Sequence, residues 1–261
     1  MAVYVMGDCH IGARTGDEDK LFALNAGPED TAIICGDFGA VWTGDDYALS
    51  GEYSRNTRDG EVLDGLEDLP FTICFIDGNH ENHVALAKYP EIDFHGGRAH
   101  KLRNNVFHLM RGEIYEIEGF KCLTIGGAAS IDKWHRTENV DWWSQECPTN
   151  EEINAMYEKL KGVKEVDYVF THQIPLVFKR LLFSYYPDSE DKYLMQFFDE
   201  IYNDIKLKKW FAGHYHTDRI CYNLQILYDE VVELGAQDWN AKLLYKKYFL
   251  CYNNNVKDER K

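Results

Sequence analysis

Long apolar runs are missing from this chain: no stretch approaches the ~18 consecutive apolar residues that a membrane-spanning helix needs. A basic stripe is missing too. Against 44 aspartates and glutamates stand 28 lysines and arginines, a net charge of −16 at neutral pH. Proteins that track along duplex nucleic acid neutralise its phosphates with clustered cations, so no duplex nucleic-acid binding is expected. A short phosphate-bearing group in a pocket stays compatible, because bound metal ions reverse the local sign. The seven cysteines show no CxxC or CxxH spacing, which argues against a disulfide framework and against a closed structural zinc site. Repeats, low-complexity tracts and Pro/Gly/Ser linkers are absent. The N-terminal MAVYVMGDCH has no basic region and turns polar by position 8, so it reads as a first strand rather than a secretory leader. Free thiols without a leader point to the cytoplasm.

What is present suits a folded globule: 45% hydrophobic and 14% aromatic residues in a chain of 261, enough for one large domain over 1–252 with 253–261 as a polar frayed tail. Short β-branched or aromatic runs predict strands at Ala2–Met6, Thr31–Cys35, Phe71–Ile76, Val106–Leu109, Glu113–Ile117, Lys121–Ile125, Tyr168–Thr171, Trp210–Ala212, Arg219–Tyr222 and Gln225–Tyr228. Helices are expected at Asn82–Ala87, Asn150–Lys161 and Asp191–Ile205. The second carries a capping box, Thr149 with Glu152, after Pro148 and before Gly162. Strand–helix alternation early and consecutive strands later imply an α/β fold with two facing sheets and helices outside.

The informative pattern is that polar, metal-type residues recur just after apolar strands. Val3–Met6 leads into Gly7-Asp8-Cys9-His10, and Ile33–Cys35 into Gly36-Asp37-Phe38-Gly39. Cys74–Ile76 leads into Asp77-Gly78-Asn79-His80-Glu81. Val169–Phe170 leads into Thr171-His172, and Phe211–Ala212 into Gly213-His214-Tyr215-His216. Strand ends in layered α/β proteins open onto a common crevice. Carboxylate, amide and imidazole donors form a mixed hard and borderline set that suits Mn, Fe, Zn or Ni. The preceding glycines are expected to let the backbone turn sharply. The i, i+2 pairs Asp8/His10 and His214/His216 are expected to share one face of an extended segment. Cys9 and Cys35 have the residue type of ligands, but small buried hydrophobes are favoured there.

These motifs resemble the calcineurin-like metallophosphoesterases, whose ordered signature is D-x-H, G-D, G-N-H-[ED], a lone H and G-H-x-H. The match runs from residue 8 to 216. The resemblance implies a four-layer αββα fold, two facing mixed β-sheets flanked by helices. It implies two divalent metal ions, one held by Asp8, His10, His216 and a bridging Asp37, the other by Asp37, Asn79, His172 and His214. Mn2+ is the leading choice, with Fe, Zn or Ni as alternatives. A narrower likeness joins Asp77–Asn82, Gly96-Gly97 with His100, His108–Gly112, Gly126-Gly127-Ala128, Ser130, Asp132-Lys133, Arg136 and Trp142-Trp143 to a bacterial and phage subgroup without a settled substrate. The family often carries GDxxD, whose second acid can orient the catalytic histidine. Here that position is Ala40, which leaves Asp45, Asp46 or a backbone carbonyl to hold His80.

The reaction implied is hydrolysis of phosphate mono- or diesters by a metal-bridging hydroxide, with His80 assisting the leaving group. Arg14, Arg98, His100 and Arg136 are candidate substrate contacts, Arg136 foremost, and Glu81 is expected to support its loop. Phe178–Tyr186 could overhang the site and stack on a nucleobase, while Trp142 and Trp143 read as core. The expected partner is a small phosphorylated substrate, a nucleotide among the candidates. A nuclease or cyclic-nucleotide phosphodiesterase of the same chemistry is the alternative. A non-catalytic metal-binding interaction module on this scaffold is a third reading. Membrane association is not expected, and the oligomeric state is left open.

Overall fold

The apolar runs that lead into the polar motifs become neighbouring strands of two sheets. The computed structural model describes residues 1–13, 15–45, 57–183, 189–235 and 243–245, the last through the backbone alone. The first sheet contains β1 (Val3–Met6), β2 (Thr31–Ile34), β3 (Thr72–Phe75), β4 (Glu91–Phe94), β5 (Gly97–Lys101), β6 (Val106–Leu109), β13 (Val231–Glu233) and β14 (Leu243–Tyr245), in the order β14-β13-β1-β2-β3-β6-β5-β4. The second contains β7 (Glu113–Ile117), β8 (Phe120–Ile125), β9 (Tyr168–Thr171), β10 (Lys209–Ala212), β11 (Arg219–Cys221) and β12 (Leu224–Ile226), in the order β11-β12-β10-β9-β8-β7. Each sheet is parallel at its centre, β1-β2-β3-β6 in one and β8-β9-β10-β12 in the other, and antiparallel at its edges.

Helices α1 (Asp19–Phe22), α2 (Arg58–Glu67) and α3 (His83–Leu86) cover the outer face of the first sheet; α4 (Asn150–Leu160), α5 (Leu176–Leu182) and α6 (Lys192–Asp204) cover that of the second. Alternation along each strand makes this layering possible. Val5, Ile33, Cys74 and Ile76 point between the sheets and meet Tyr115, Cys122, Phe170 and Phe211 there. Met6, Ile34, Ile73 and Phe75 point outward to Leu63, Leu66 and Leu86, while Val169, Trp210 and Ala212 face Met156, Phe197 and Ile201. The four-layer αββα arrangement is thus the observed fold. Because the central strands run parallel within each sheet, the motifs after β1, β2 and β3 emerge at one end, as do those after β9 and β10.

The capping box of α4 is formed as read, Thr149 Oγ1 accepting from Glu152 N at 3.2 Å and Glu152 Oε2 from Thr149 N at 2.7 Å. The pattern did not show α1, α2, α5, the β4–β5 hairpin, β13 or β14. The β4–β5 hairpin is polar and half-exposed, so it has no apolar run. Helix α2 hides behind Gly60 and Gly65, and α5 follows Pro175 and runs into the stretch expected to overhang the site. The expected tail, 253–261, lies outside the described residues, as do Arg14 and Asp46. No helix among the described residues is long and apolar enough to cross a membrane.

Candidate metal centre

The loops after β1 and β2 are zipped by their backbones: Cys9 N and His10 N both donate to Asp37 O, at 3.0 and 2.8 Å. Arg58 reinforces the seam by donating to Gly39 O, Ala40 O and Ile11 O, each at 3.0 Å. The loop after β3 joins through Asp37 Oδ1, which accepts from Asn79 N at 2.9 Å and His80 N at 2.8 Å. Glu81 is fully buried and clamps two loops, accepting from Phe38 N at 2.6 Å and Gly78 N at 2.7 Å. It supports the loop, as its position suggested. Burial, with Asp37 nearby, lifts its carboxyl to about 8.

Seven side chains then converge in two groups that share Asp37. In one, ligand-type atoms of Asp8, His10, Asp37 and His216 all lie within 4.8 Å of one another. His10 Nε2 and His216 Nε2 face each other at 3.3 Å, and His10 Nε2 is 3.8 Å from Asp37 Oδ2. In the other, Asn79 Oδ1 sits 3.2 Å from His172 Nε2 and 3.0 Å from His214 Nδ1, while His172 Nε2 is 3.1 Å from Asp37 Oδ1. Asp8 ties the groups together, both its oxygens accepting from His214 N at 3.0 Å.

Burial holds His214 down at about 3 and His10 at about 4, so both imidazoles are neutral donors near pH 7. Burial also lifts Asp8 to about 6, in spite of the nearby His172. Alone, burial would push the Asp37 carboxyl up and the His172 imidazole down. Their contact reverses both, holding Asp37 well below the carboxylate range and His172 up at about 10. His172 Nε2 and Asp37 Oδ1 thus face each other at 3.1 Å within the cluster. His172 Nδ1 donates to Cys35 O at 2.8 Å, leaving Nε2 to face the cluster, the orientation typical of a metal-binding histidine. The donor set therefore fits divalent ions. Neither Cys9 nor Cys35 joins it: burial raises both thiols, Cys9 to about 12, and both pack in the core.

Two local expectations are corrected. The Asp8/His10 and His214/His216 segments are not extended. His10, Asp37, His214 and His216 take left-handed backbone, with φ of 44°, 51°, 71° and 45°. His214 and His216 therefore face different groups rather than one. The glycines are required for different reasons: Gly36 has φ +85°, but Gly78 is there because a Cβ would stand 2.2 Å from Asp37 Oδ1.

Around His80 lie His10 (ring centroids 5.0 Å), Trp42 (6.1 Å, stacked) and Arg136, whose Nη2 is 3.4 Å from His80 Nε2. Arg136 is held in turn by Asp132 at 2.9 Å. Asp45 does not hold His80: its Oδ1 accepts from Asp59 N at 3.3 Å, at the start of α2. Burial, with Arg136 alongside, lowers the His80 imidazole's proton affinity, while Asp37 opposes.

Arg98 and His100 have other partners. They lie on the β4–β5 hairpin, where Arg98 pairs with Glu91 at 2.5 Å and His100 Nδ1 meets His108 Nδ1 at 2.9 Å. His108 passes the contact to Asp77 Oδ1 at 3.2 Å, and Arg111 donates to Asp77 Oδ2 at 2.8 Å. Phe178 is core, but Phe183 stacks on Tyr215 of the last motif at 4.3 Å. Ser184–Asp188 lie outside the described residues. Trp143 is core, packed edge-on against Trp42. Reading the sequence missed Lys20, which is buried and donates to Asp8 O at 2.7 Å and to Tyr228 O. It also missed Tyr228, stacked on His216 at 4.7 Å, and Glu146, described below. No spacing marks these residues; only the fold brings them to the site.

A four-layer αββα sandwich with a carboxylate, amide and imidazole cluster at its strand ends defines a metallophosphoesterase. The chain belongs to the calcineurin-like phosphoesterase family, whose profile matches residues 1–218. It is 26% identical over 251 residues to the lariat debranching enzyme of Homo sapiens, covering 83% of this chain and 42% of that protein. It is 28% identical over 195 residues to the lariat debranching enzyme of Mus musculus, covering 67% and 32%. The chain thus spans less than half the length of these curated relatives. Among solved structures it is similar to the phosphopantetheinyl hydrolase PptH of Mycobacterium tuberculosis, with a TM-score of 0.45 and 16% identity, covering 86% of this chain and 87% of that one.

Proposed function

We propose that this chain hydrolyses phosphate mono- or diesters at a pair of divalent ions, Mn2+ first among them, in the cytoplasm. The observation that carries this reading is Asp37, whose carboxylate contacts His172 on one side and His10 on the other. Asp8, His10, Asp37 and His216 would hold one ion; Asp37, Asn79, His172 and His214 would hold the other. Bound there, divalent ions supply Lewis acidity toward the phosphate and a hydroxide from water near neutral pH.

The chain's own residues do the rest. Arg136, 3.4 Å from His80, presents a guanidinium to phosphate oxygens and draws negative charge to the imidazole. His80 gives a proton to the departing oxygen. Burial disfavours the imidazolium, and of the charges beside the ring Asp37 favours it while Arg136 opposes it. Phe38–Phe75 stacking and the Glu81 clamp keep the loops under His80 fixed. Trp42 walls off one face of its ring.

The resemblance to lariat debranching enzymes favours a second reading, nuclease-type cleavage of a diester, against which the net charge of −16 stands. One experiment separates these. The protein is loaded with Mn2+ and offered p-nitrophenyl phosphate, bis-p-nitrophenyl phosphate, cyclic nucleotides, nucleoside diphosphates and single-stranded oligonucleotides. Metal-dependent release from the small esters is expected. Cleavage confined to oligonucleotides would turn the assignment to the second reading, and no cleavage of any ester with two metals bound would end the catalytic one.

A further inference from the structure

An asparagine side chain offers a metal only one useful atom, its amide oxygen, and the NH2 end has nearly the same shape. Something must decide which end faces the cluster. Here Asn79 Nδ2 donates to Ser130 Oγ at 3.1 Å. Ser130 Oγ donates its own single hydrogen to Glu146 Oε2 at 2.6 Å, and Ser130 N donates to Glu146 Oε1 at 2.7 Å. Because its hydrogen is committed to the carboxylate, the hydroxyl has only lone pairs left for Asn79. It can accept from the NH2 group and cannot donate to the oxygen. The amide oxygen is thereby turned toward His172 Nε2 and His214 Nδ1.

All three groups are buried, Asn79 at 5%, Ser130 at 6% and Glu146 at 1% exposure, so water does not compete for these bonds. Glu146 is itself anchored. Its carbonyl accepts from Ala128 N at 3.1 Å and from Arg111 Nη2 at 3.2 Å, and Arg111 is held by Asp77 of the loop that carries Asn79.

We propose that Glu146, acting through Ser130, is a positioning residue that sets the polarity of the Asn79 amide and so presents its oxygen to the ion held with His172 and His214. This inference rests on the metal-centre reading above and adds to it two residues that ligand-type spacing does not reveal. The chain of hydrogens has one direction. Glu146→Gln keeps shape and volume but places an NH2 donor where an acceptor stood. Ser130 then accepts from the glutamine, donates to position 79, and favours the flipped amide. Asn79→Asp has the opposite need, since its carboxylate wants a donor from Ser130 and Glu146 forbids one.

The test is a double-mutant cycle read by isothermal titration of Mn2+, on wild type, Glu146→Gln, Asn79→Asp and the double variant. In the wild-type background Glu146→Gln is expected to weaken one of two Mn2+ equivalents by roughly 10–100-fold, the usual effect of losing such an outer partner. In the Asn79→Asp background the same change is expected to strengthen binding. A merely structural Glu146 would lower affinity by the same factor in both backgrounds, and that result, or no loss in either, overturns the proposal. Should Glu146→Gln melt before titration, Ser130→Ala carries the same contrast: a loss with Asn79 present and none with Asn79→Asp. Wild type that binds no Mn2+ overturns the metal-centre reading as well, so the two failures are told apart by the wild-type titration alone.

Discussion

On one side of Asp37, His172 is fully buried, and hydrogen bonds to Cys35 O and Ser130 Oγ fix the imidazole and the neighbouring Asn79 amide. On the other side, His216 is 50% exposed, and a flat stack on Tyr228 orients its ring. The first wall is held by directional bonds in a dry setting, the second by contact area that solvent can reach. Directional bonds in a low-dielectric setting are costly to leave unmade, whereas an exposed stack is weak and easily rearranged. The buried side should therefore hold its ion more tightly, and the open side should exchange with solvent.

Asp37→Asn strikes both walls, so it tests the comparison most severely. Loss of both Mn2+ equivalents by metal analysis, and of ester hydrolysis with them, is expected. Retention of the buried equivalent would mean the walls are more independent than their shared carboxylate implies. His80→Gln touches neither wall. Metals should stay bound while turnover falls by about 10²–10⁴-fold, the usual contribution of a general acid. Full turnover would remove His80 from the chemistry.

Asp77 anchors the buried side through Arg111 and His108, and Asp77→Asn leaves Arg111 without its counter-charge. Breaking a buried pair in this way costs about 3–5 kcal/mol, read by denaturant or thermal melts. Although burial alone would raise the Asp77 carboxyl, Arg111 and then His108 hold it well below the usual range. Its folded value lies below the unfolded ~3.9, so the stabilisation is complete above that pH and is lost as pH falls toward the folded value. Acid melts of wild type should show this loss, and Asp77→Asn should flatten it. The smallest effect belongs to the open wall. Tyr228→Leu removes a stack of about 0.5–1.5 kcal/mol and should weaken only the exposed Mn2+ equivalent, by roughly two- to tenfold. A larger effect on the buried equivalent would contradict the division.

Much of this centre is legible in sequence because ligand-type residues directly follow apolar strands, and parallel strands open at a common end. Asp8, Asp37, Asn79, His172 and His214 need no further information to be brought together. What partners them is less legible. Lys20, Glu146 and Tyr228 reach the site through tertiary packing that no ligand-type spacing announces. Arg98 and His100 were candidates because they were expected to lie in loops; they lie instead on a polar edge strand, where Glu91 and His108 contact them. The fold shows the same split. Strands with buried faces on both sides were plain from their apolar runs. The β4–β5 edge hairpin and the glycine-bearing α2 were not, because burial there is partial and the pattern correspondingly faint.

The left-handed backbone at His10, Asp37, His214 and His216 has a consequence for how the molecule breathes. Each such residue costs roughly 1–2 kcal/mol relative to ordinary geometry, together a sizeable part of a typical net stability of ~5–15 kcal/mol. Fluctuations that relax these turns are therefore cheaper than those that open the sandwich. In the ion-free protein, amide protons on the β1 and β10 turns should exchange with deuterium sooner than those of the strands feeding them. Filling the cluster should slow precisely those amides first.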